Sequence, residues 1–316
     1  MYRTLIATFL AFLCTVALAG ESSFQGLRTF EGGVGRIAGE GEAIVGSHMF
    51  DLARGTLQGY VWTEADGLLM LETLEGGPQF YSSAVGTSDD TFLIAGESWG
   101  IDGLEGVAWI DGVIEPLGGL GGQLVRPDFT FTSTASDVAA DGSVVVGQGV
   151  NVDGNFEAFV WTIDGGMVGL GDHVPGRPDR RGSGATAVSR DGSVIVGQCS
   201  ALACVWKDGE VQSLGLLQEG TGSSIAHGVS PDGSVVVGQA ARGIVQEGFV
   251  WSEEGGLRGI GVFEDADLPS SLAVAATLRG DTVVGSAAWR QLSTAIIWTE
   301  ERGLLRLEDV LRDDHG

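Results

Sequence analysis

Short runs of Val, Ile and Leu, most of them closed by glycine, recur along the chain between polar segments rich in Gly and Asp. The clearest copy is Ser136 to Gly171, SDVAADGSVVVGQGVNVDGNFEAFVWTIDGGMVGLG. It holds a short apolar piece, a DG turn, a valine run ending at Gly147 and a loop; an aromatic stretch ending at Trp161, a GG turn and a last apolar piece complete it. β-Branched and aromatic runs punctuated by turn residues predict strands. Beyond the first twenty residues nothing has the 3.6-residue period of a long amphipathic helix. The pattern predicts an all-β protein.

Six tryptophans mark one position of the repeat: Trp62, Trp109, Trp161, Trp206, Trp251 and Trp298, spaced 47, 52, 45, 45 and 47 residues apart. Upstream of each lies an apolar run closed by glycine, at Gly46, Gly96, Gly147, Gly197, Gly238 and Gly285. Three copies read DGSVVVGQ or DGSVIVGQ, at Asp141, Asp191 and Asp232. Each unit parses into four strands: a before the DG turn, b as the valine run, c ending at the tryptophan, and d after the second turn. Asp-Gly between a and b, and Gly165-Gly166, Asp208-Gly209 and Gly255-Gly256 between c and d, supply the positive backbone angles that tight hairpins need. Four antiparallel strands repeated every 45–50 residues are the signature of a β-propeller blade, so the expected fold is a propeller of six four-stranded blades. Strand b is apolar at consecutive positions, as packing between neighbouring blades requires, and the tryptophans fill the same layer.

At the N-terminal end, FQGLRTFEGG from Phe24 aligns with VQSLGLLQEG from Val211, a d strand with its exit loop. Leu304 to Leu311 is also d-like, leaving one d strand surplus. The last blade is therefore expected to be incomplete or closed by the N-terminal strand.

The pattern S-x-DGS-VVVG followed by AFVWT, GGM and LG resembles the bacterial extracellular HAF repeat, most closely over Ala135 to Gly171, Ala185 to Gly215 and Ala226 to Gly261. That resemblance implies a secreted or autotransporter-associated propeller with no general assigned activity. Members often run on past a segment like LEDVLRDDHG into another strand pair. SPDG at Ser230 is similar to the periplasmic propellers of the Tol system, and GG with a spaced Trp to kelch repeats; both are propellers as well.

Composition adds a compartment. Arg3, the largely apolar Leu5 to Val16 and Ala17-Leu18-Ala19 form a secretory signal peptide over residues 1–19, too short for a comfortable membrane span. Cys14 belongs to it, because Phe12-Leu13 are too bulky for a lipobox. Residues 20–316 are read as one secreted propeller domain, periplasmic or extracellular. Only Cys199 and Cys204 then remain; they flank the shortest b–c connection and predict a disulfide in an oxidising compartment. The net charge of −25, from 42 acidic against 17 basic residues, argues against nucleic acid and anionic lipid as partners. No later run is apolar enough to insert in a membrane.

The a–b and c–d turns are tight and uniform, whereas the b–c and d–a connections are read as long and variable and share one face. Binding is expected there. Trp99 and Trp289, off the strand-c position, with Phe156, Phe50, Tyr81 and Phe129, are candidates to stack on sugar rings or peptide side chains. Arg177, Arg180 and Arg181 in the d–a loop GDHVPGRPDRRGSG are candidates to grip a carboxylate, sulfate or phosphate. Asp153, Asn155 and Glu157, after Asn151, and separately Glu264, Asp265 and Asp267, offer closely spaced oxygens for Ca²⁺, the one cofactor considered, without matching a full calcium loop. GESWG around Ser98 fits G-x-S-x-G but follows a strand b with no helix after it, so no catalytic residue is assigned. The expected function is a non-enzymatic binding or scaffold module for an extracellular glycan or protein. The alternatives are a propeller hydrolase or lyase acting on polysaccharide and a structural surface protein.

Overall fold

The computed structural model describes residues 32–38, 43–51, 56–77, 81–125, 130–171, 182–218 and 222–315. The signal peptide and the strand expected at Phe24 lie outside them. The strands form six sheets in chain order. The first holds β1 (Gly32–Ala38), β2 (Ala43–Asp51), β3 (Thr56–Thr63) and β4 (Gly67–Met70). The second holds β5 (Ser82–Thr87), β6 (Leu93–Gly100), β7 (Gly103–Ile110) and β8 (Val113–Pro116), with the short β9 (Leu124–Val125) and β10 (Thr130–Phe131) added beside β7. The third is β11 (Ser133–Val138), β12 (Val145–Val150), β13 (Phe156–Thr162) and β14 (Gly166–Gly169). The fourth is β15 (Ser183–Val188), β16 (Val194–Cys199), β17 (Leu202–Lys207) and β18 (Glu210–Gly215). The fifth is β19 (Ser224–Val229), β20 (Val235–Arg242), β21 (Val245–Ser252) and β22 (Gly256–Gly259). The sixth is β23 (Ser271–Ala276), β24 (Thr282–Trp289), β25 (Leu292–Thr299) and β26 (Gly303–Arg306), followed by α1 (Leu307–His315). The a, b, c and d strands expected from the repeat are these, in order.

The C-terminal expectation needs correction. Leu304–Leu311 is not a surplus strand: it completes β26 and then turns into α1. Leu307, Val310 and Leu311 stand three and four residues apart, acidic Glu308 and Asp309 occupy the first turn, and Arg306 pairs with Asp309. Those are helix preferences. With β26 in place the last sheet has all four strands, so it is not incomplete.

The core lies between sheets. In the second to fifth sheets strand b is buried on both faces, as in Val194–Gly197 and Val235–Gly238. Five apolar clusters result, one at each junction of consecutive sheets, such as Val196, Ala203 and Val205 of the fourth against Val236 and Phe249 of the fifth. Two tryptophans also cross a junction with a hydrogen bond: Trp109 Nε1 donates to the Glu72 carbonyl at 2.9 Å and Trp206 Nε1 to that of Leu170 at 3.1 Å.

One polar device recurs at every junction between consecutive sheets. Strand a begins with a buried serine: Ser82, Ser133, Ser183, Ser224 or Ser271. Its Oγ accepts an N–H from strand c of the preceding sheet, at 2.8 Å for both Ala203 to Ser224 and Gly248 to Ser271. In four of the five it also donates to the carbonyl just past strand d, as Ser271 does to Gly261 at 2.5 Å and Ser133 to Gly118 at 2.7 Å. Two residues further on, strand a bulges in each sheet, for instance between Ala226 and Gly228. The glycine that ends the valine run lies opposite, and a β-carbon at Gly238 would overlap the Ile225 carbonyl oxygen. That close approach is the reason for the recurrent VVVG.

The a strands of successive sheets pack together around the axis, and their turns close one end. Asp89 N–H donates to the Ala140 carbonyl and Arg190 N–H to that of Pro231, while the Arg190 guanidinium pairs with Asp89 two sheets away. Within a turn such as Ser189–Ser193 the Asp191 carboxylate accepts from Ser189 and Ser193. These hydrogen bonds, that of Ser193 first, hold Asp191 down at about 2.

Three outcomes follow. Ser224→Ala leaves a buried N–H without its acceptor and should cost about 1–3 kcal/mol in denaturant unfolding, whereas Gly238→Ala should cost about 3 kcal/mol or more or fail to fold. Because the Asp191 pKa is depressed in the fold, its contribution is complete above the ordinary carboxylate value and lost as pH falls toward about 2. Asp191→Asn should therefore lower the thermal midpoint at pH 7, and the gap from wild type should close with acidification.

Candidate functional site

The b–c and d–a connections emerge on the face opposite the latched turns. The ladders run further toward this face than the sequence suggests. Gly100 pairs with Gly103, Arg242 with Val245 and Trp289 with Leu292, so three b–c connections expected as long loops are two-residue hairpin turns. Cross-strand pairing along β20 and β24 continues past the conspicuous valine run. The d–a connections are the ones that remain long.

The tips of this face carry bare aliphatic side chains. Ile101 and Val152 are each 79% exposed, Leu268 83%, Leu292 69%, and Ile244 is fully exposed. Asp102, Asp153 and Asp267 stand exposed next to the first three. A 490 Å³ cleft opens beside Leu268 and Leu292, lined in part by Gln239, Asp267, Ser286, Arg290, Gln291 and Ser293.

The candidate aromatics do not gather into one platform. Trp99 is half-buried on β6 and Trp289 half-buried on β24, both on strands rather than loops. The guanidinium groups of Arg290 and Arg306 stack on Trp289 at 4.4 and 4.0 Å from the ring centroid, so cations cover the surface offered for stacking. Phe156 is exposed at the start of β13 and meets Phe131 edge to face at 5.8 Å. Tyr81 donates to Glu97 at 2.7 Å; burial, then the Glu97 charge, push its phenol well above the usual range. Glu97 also accepts from Thr134 of the next sheet at 2.8 Å. Arg177, Arg180, Arg181 and Phe129, and the side chain of Phe50, lie outside the described residues.

Two residues of the first calcium candidate loop, Asn151 and Glu157, are engaged in hydrogen bonds. Asn151 Oδ1 accepts the N–H groups of Asp153 and Asn155, at 3.1 and 3.0 Å. Glu157 accepts from the Asn151 amide at 2.8 Å and from Gly171 N–H at 3.0 Å. An Asx-type turn thus takes up Asn151 Oδ1. Among the described residues no three His, Cys, Asp or Glu side chains gather as a metal site. Ser98 is buried in β6, accepting from Leu74 N–H and donating to the Tyr81 carbonyl, which makes it a strut between loop and strand.

Sequence reading overlooked a recurrent strand-c carboxylate. Buried Glu247 stands where Glu157 does, accepting Gly261 N–H at 2.9 Å and the Arg242 guanidinium at 3.0 Å. Glu105 takes the same position in the second sheet, and burial raises its pKa. The shared signal was Glu two residues before the last apolar triplet of strand c, at Glu105, Glu157 and Glu247. It pins the exit of strand d.

Cys199 and Cys204 form the expected disulfide, with Cα atoms 6.0 Å apart. They are diagonal rather than opposed, since Cys199 pairs with Leu202 and Gly197 with Cys204. The tip between them, Ser200-Ala201, has positive φ at both residues, 52° and 65°.

No family model and no curated protein matches the chain. Solved structures do. The β-propeller domain of the Trilobed protease from Pyrococcus furiosus, described as having an open velcro topology, is 9% identical with a TM-score of 0.53, over 88% of this chain and 85% of that one. Oligogalacturonate lyase from Vibrio parahaemolyticus is 12% identical with a TM-score of 0.52, over 86% and 75%. TolB from Acinetobacter baumannii is 12% identical with a TM-score of 0.49, over 84% of this chain and 63% of that one, so the chain spans less than two thirds of it. At such identities the likeness is one of fold. The chain is a β-propeller.

Only glycine adopts the left-handed region without cost, and a two-residue hairpin tip wants it. Ala201→Gly should accordingly raise stability by about 0.5–1 kcal/mol, measured as the shift in denaturant midpoint with the disulfide intact.

Proposed function

We propose that the protein is a secreted, six-bladed propeller that acts as a binding or scaffold module, using the b–c and d–a face. The observation that carries this reading is the contrast between its two faces. One is sewn together by turn-to-turn hydrogen bonds; the other raises Ile101, Val152, Ile244, Leu268 and Leu292 into solvent. Exposed apolar side chains on hairpin tips and loops, several of them beside acidic groups, suit recognition of an extracellular ligand, whether glycan or protein. The secretory leader read in residues 1–19 and the resemblance to the HAF repeat support that setting. Among the described residues no helix is long and apolar enough to cross a membrane.

A polysaccharide hydrolase or lyase would need two carboxylates about 5–9.5 Å apart across a cleft. On this face Glu97, Glu157 and Glu247 are each committed to hydrogen bonds that hold strands and loops. Binding without turnover is the reading they support.

A glycan array and a thermal-shift screen on the mature protein, with and without Ca²⁺, test it. The expected result is a ligand whose stabilising shift is lost in Phe156→Ser or in Ile101→Ser with Val152→Ser and kept in Asp191→Asn on the opposite face. Product release from a responding polysaccharide would replace binding by catalysis, and a shift indifferent to the loop-face variants would sink the assignment of that face.

A further inference from the structure

The six sheets make five packed junctions, and the place where a sixth junction would form differs from the other five in three ways. First, the central pair of the trailing face is buried against the next sheet in four of the first five sheets, Val45 with Val61, Ala95 with Ala108, Val196 with Val205, and Val237 with Val250, and in the third Val146 is buried while Val160 is half-buried. The same pair in the sixth sheet, Val284 with Ile297, is only half-buried, Ala295 is exposed, and Val274 is 47% exposed. Secondly, the leading face of the first sheet is open to match: Ile44 is half-buried, whereas Ile94, Val145, Ile195, Val236 and Val283 are buried at its position. Thirdly, the serine latch is missing. Gly32 pairs with His48 at the register position where Ser82 pairs with Ser98 and Ser224 with Ala240. Among the described residues no buried apolar cluster joins the sixth sheet to the first.

An apolar trailing face and an apolar leading face are complementary by construction, since the chain packs one on the other five times. We propose that the open trailing face of the sixth sheet is an interface for the leading face of the first sheet of a second copy of this chain. The association is head to tail. Two copies that each lend the first sheet to the other's sixth fill both seams about one two-fold axis and close the assembly. This goes beyond the ligand-binding reading and does not depend on it, because the surface is the flank of two sheets rather than the loop face.

Disulfide trapping distinguishes the partners. Ala203 and Val236 share the cluster between the fourth and fifth sheets, and Ala295 and Ile44 are their counterparts at the seam. Mature Ala295→Cys and Ile44→Cys single variants, mixed under oxidising conditions, should give a linked heterodimer that neither gives alone. Sedimentation of the unmodified mature protein should show a concentration-dependent rise to twice the monomer mass. Ala295→Glu should abolish that rise; since Ala295 is exposed in the single chain, its circular dichroism and thermal midpoint should stay near those of the monomer. Val274→Glu provides the same test at a second exposed site. The proposal is overturned by a monomer at every concentration. It is equally overturned if a double Ala295→Cys, Ile44→Cys variant links within one chain at high dilution, or if a dimer is indifferent to both glutamates.

Discussion

The buried serine at the head of strand a governs how the sheets are assembled. An isolated four-stranded sheet can satisfy its own ladder, but nothing in that ladder specifies where the next sheet must sit. Ser224 and its counterparts supply the missing directional contact by accepting an N–H from one sheet and, in most cases, donating a hydrogen bond to its exit carbonyl. The contact is buried, so a misplaced neighbour would leave polar groups unsatisfied in an apolar layer. Apolar burial holds neighbouring sheets together; the serine sets their registration.

The bulge two residues later has a linked consequence. It brings the carbonyl of strand a against the strand-b glycine, and this close approach shapes the most conspicuous word of the repeat, VVVG. The Asp of the DG turn, pinned by two serine hydroxyls, finishes the same end of the sheet. One face of the propeller is therefore dense with short-range constraints, and the opposite face is free to vary in the length and chemistry of its connections. Function is proposed where the constraints are fewest.

Much of the architecture was legible in the chain. The Trp spacing, the consecutive apolar residues of strand b and the Gly-bearing turns pointed to repeated four-stranded units, and the two cysteines to a hairpin disulfide. The serine latch was visible too, as S-x-A in SSA at Ser82, STA at Ser133, SGA at Ser183, SIA at Ser224 and SLA at Ser271, but its role needed the partner N–H from another sheet. The site was far less legible. Trp289 read as a free stacking platform because its neighbours in space, Arg306 above all, lie across a hairpin and a strand. At Glu157 the Gly171 N–H that meets its carboxylate comes from the next connection, a contact that no local pattern displays.

Local pattern by itself determined the repeat, the strand and turn positions, the acidic character and the cysteine pairing, since each depends on residues close in sequence or on composition alone. Tertiary structure decided the rest: that the final d-like stretch splits into strand and helix, that strand pairing outruns the valine runs, and that five junctions are sealed while the flanks of the first and sixth sheets stay open. These outcomes depend on which faces meet. A repeat written in one dimension says what each unit can pack against, and only the closed or open arrangement of all six says whether it does.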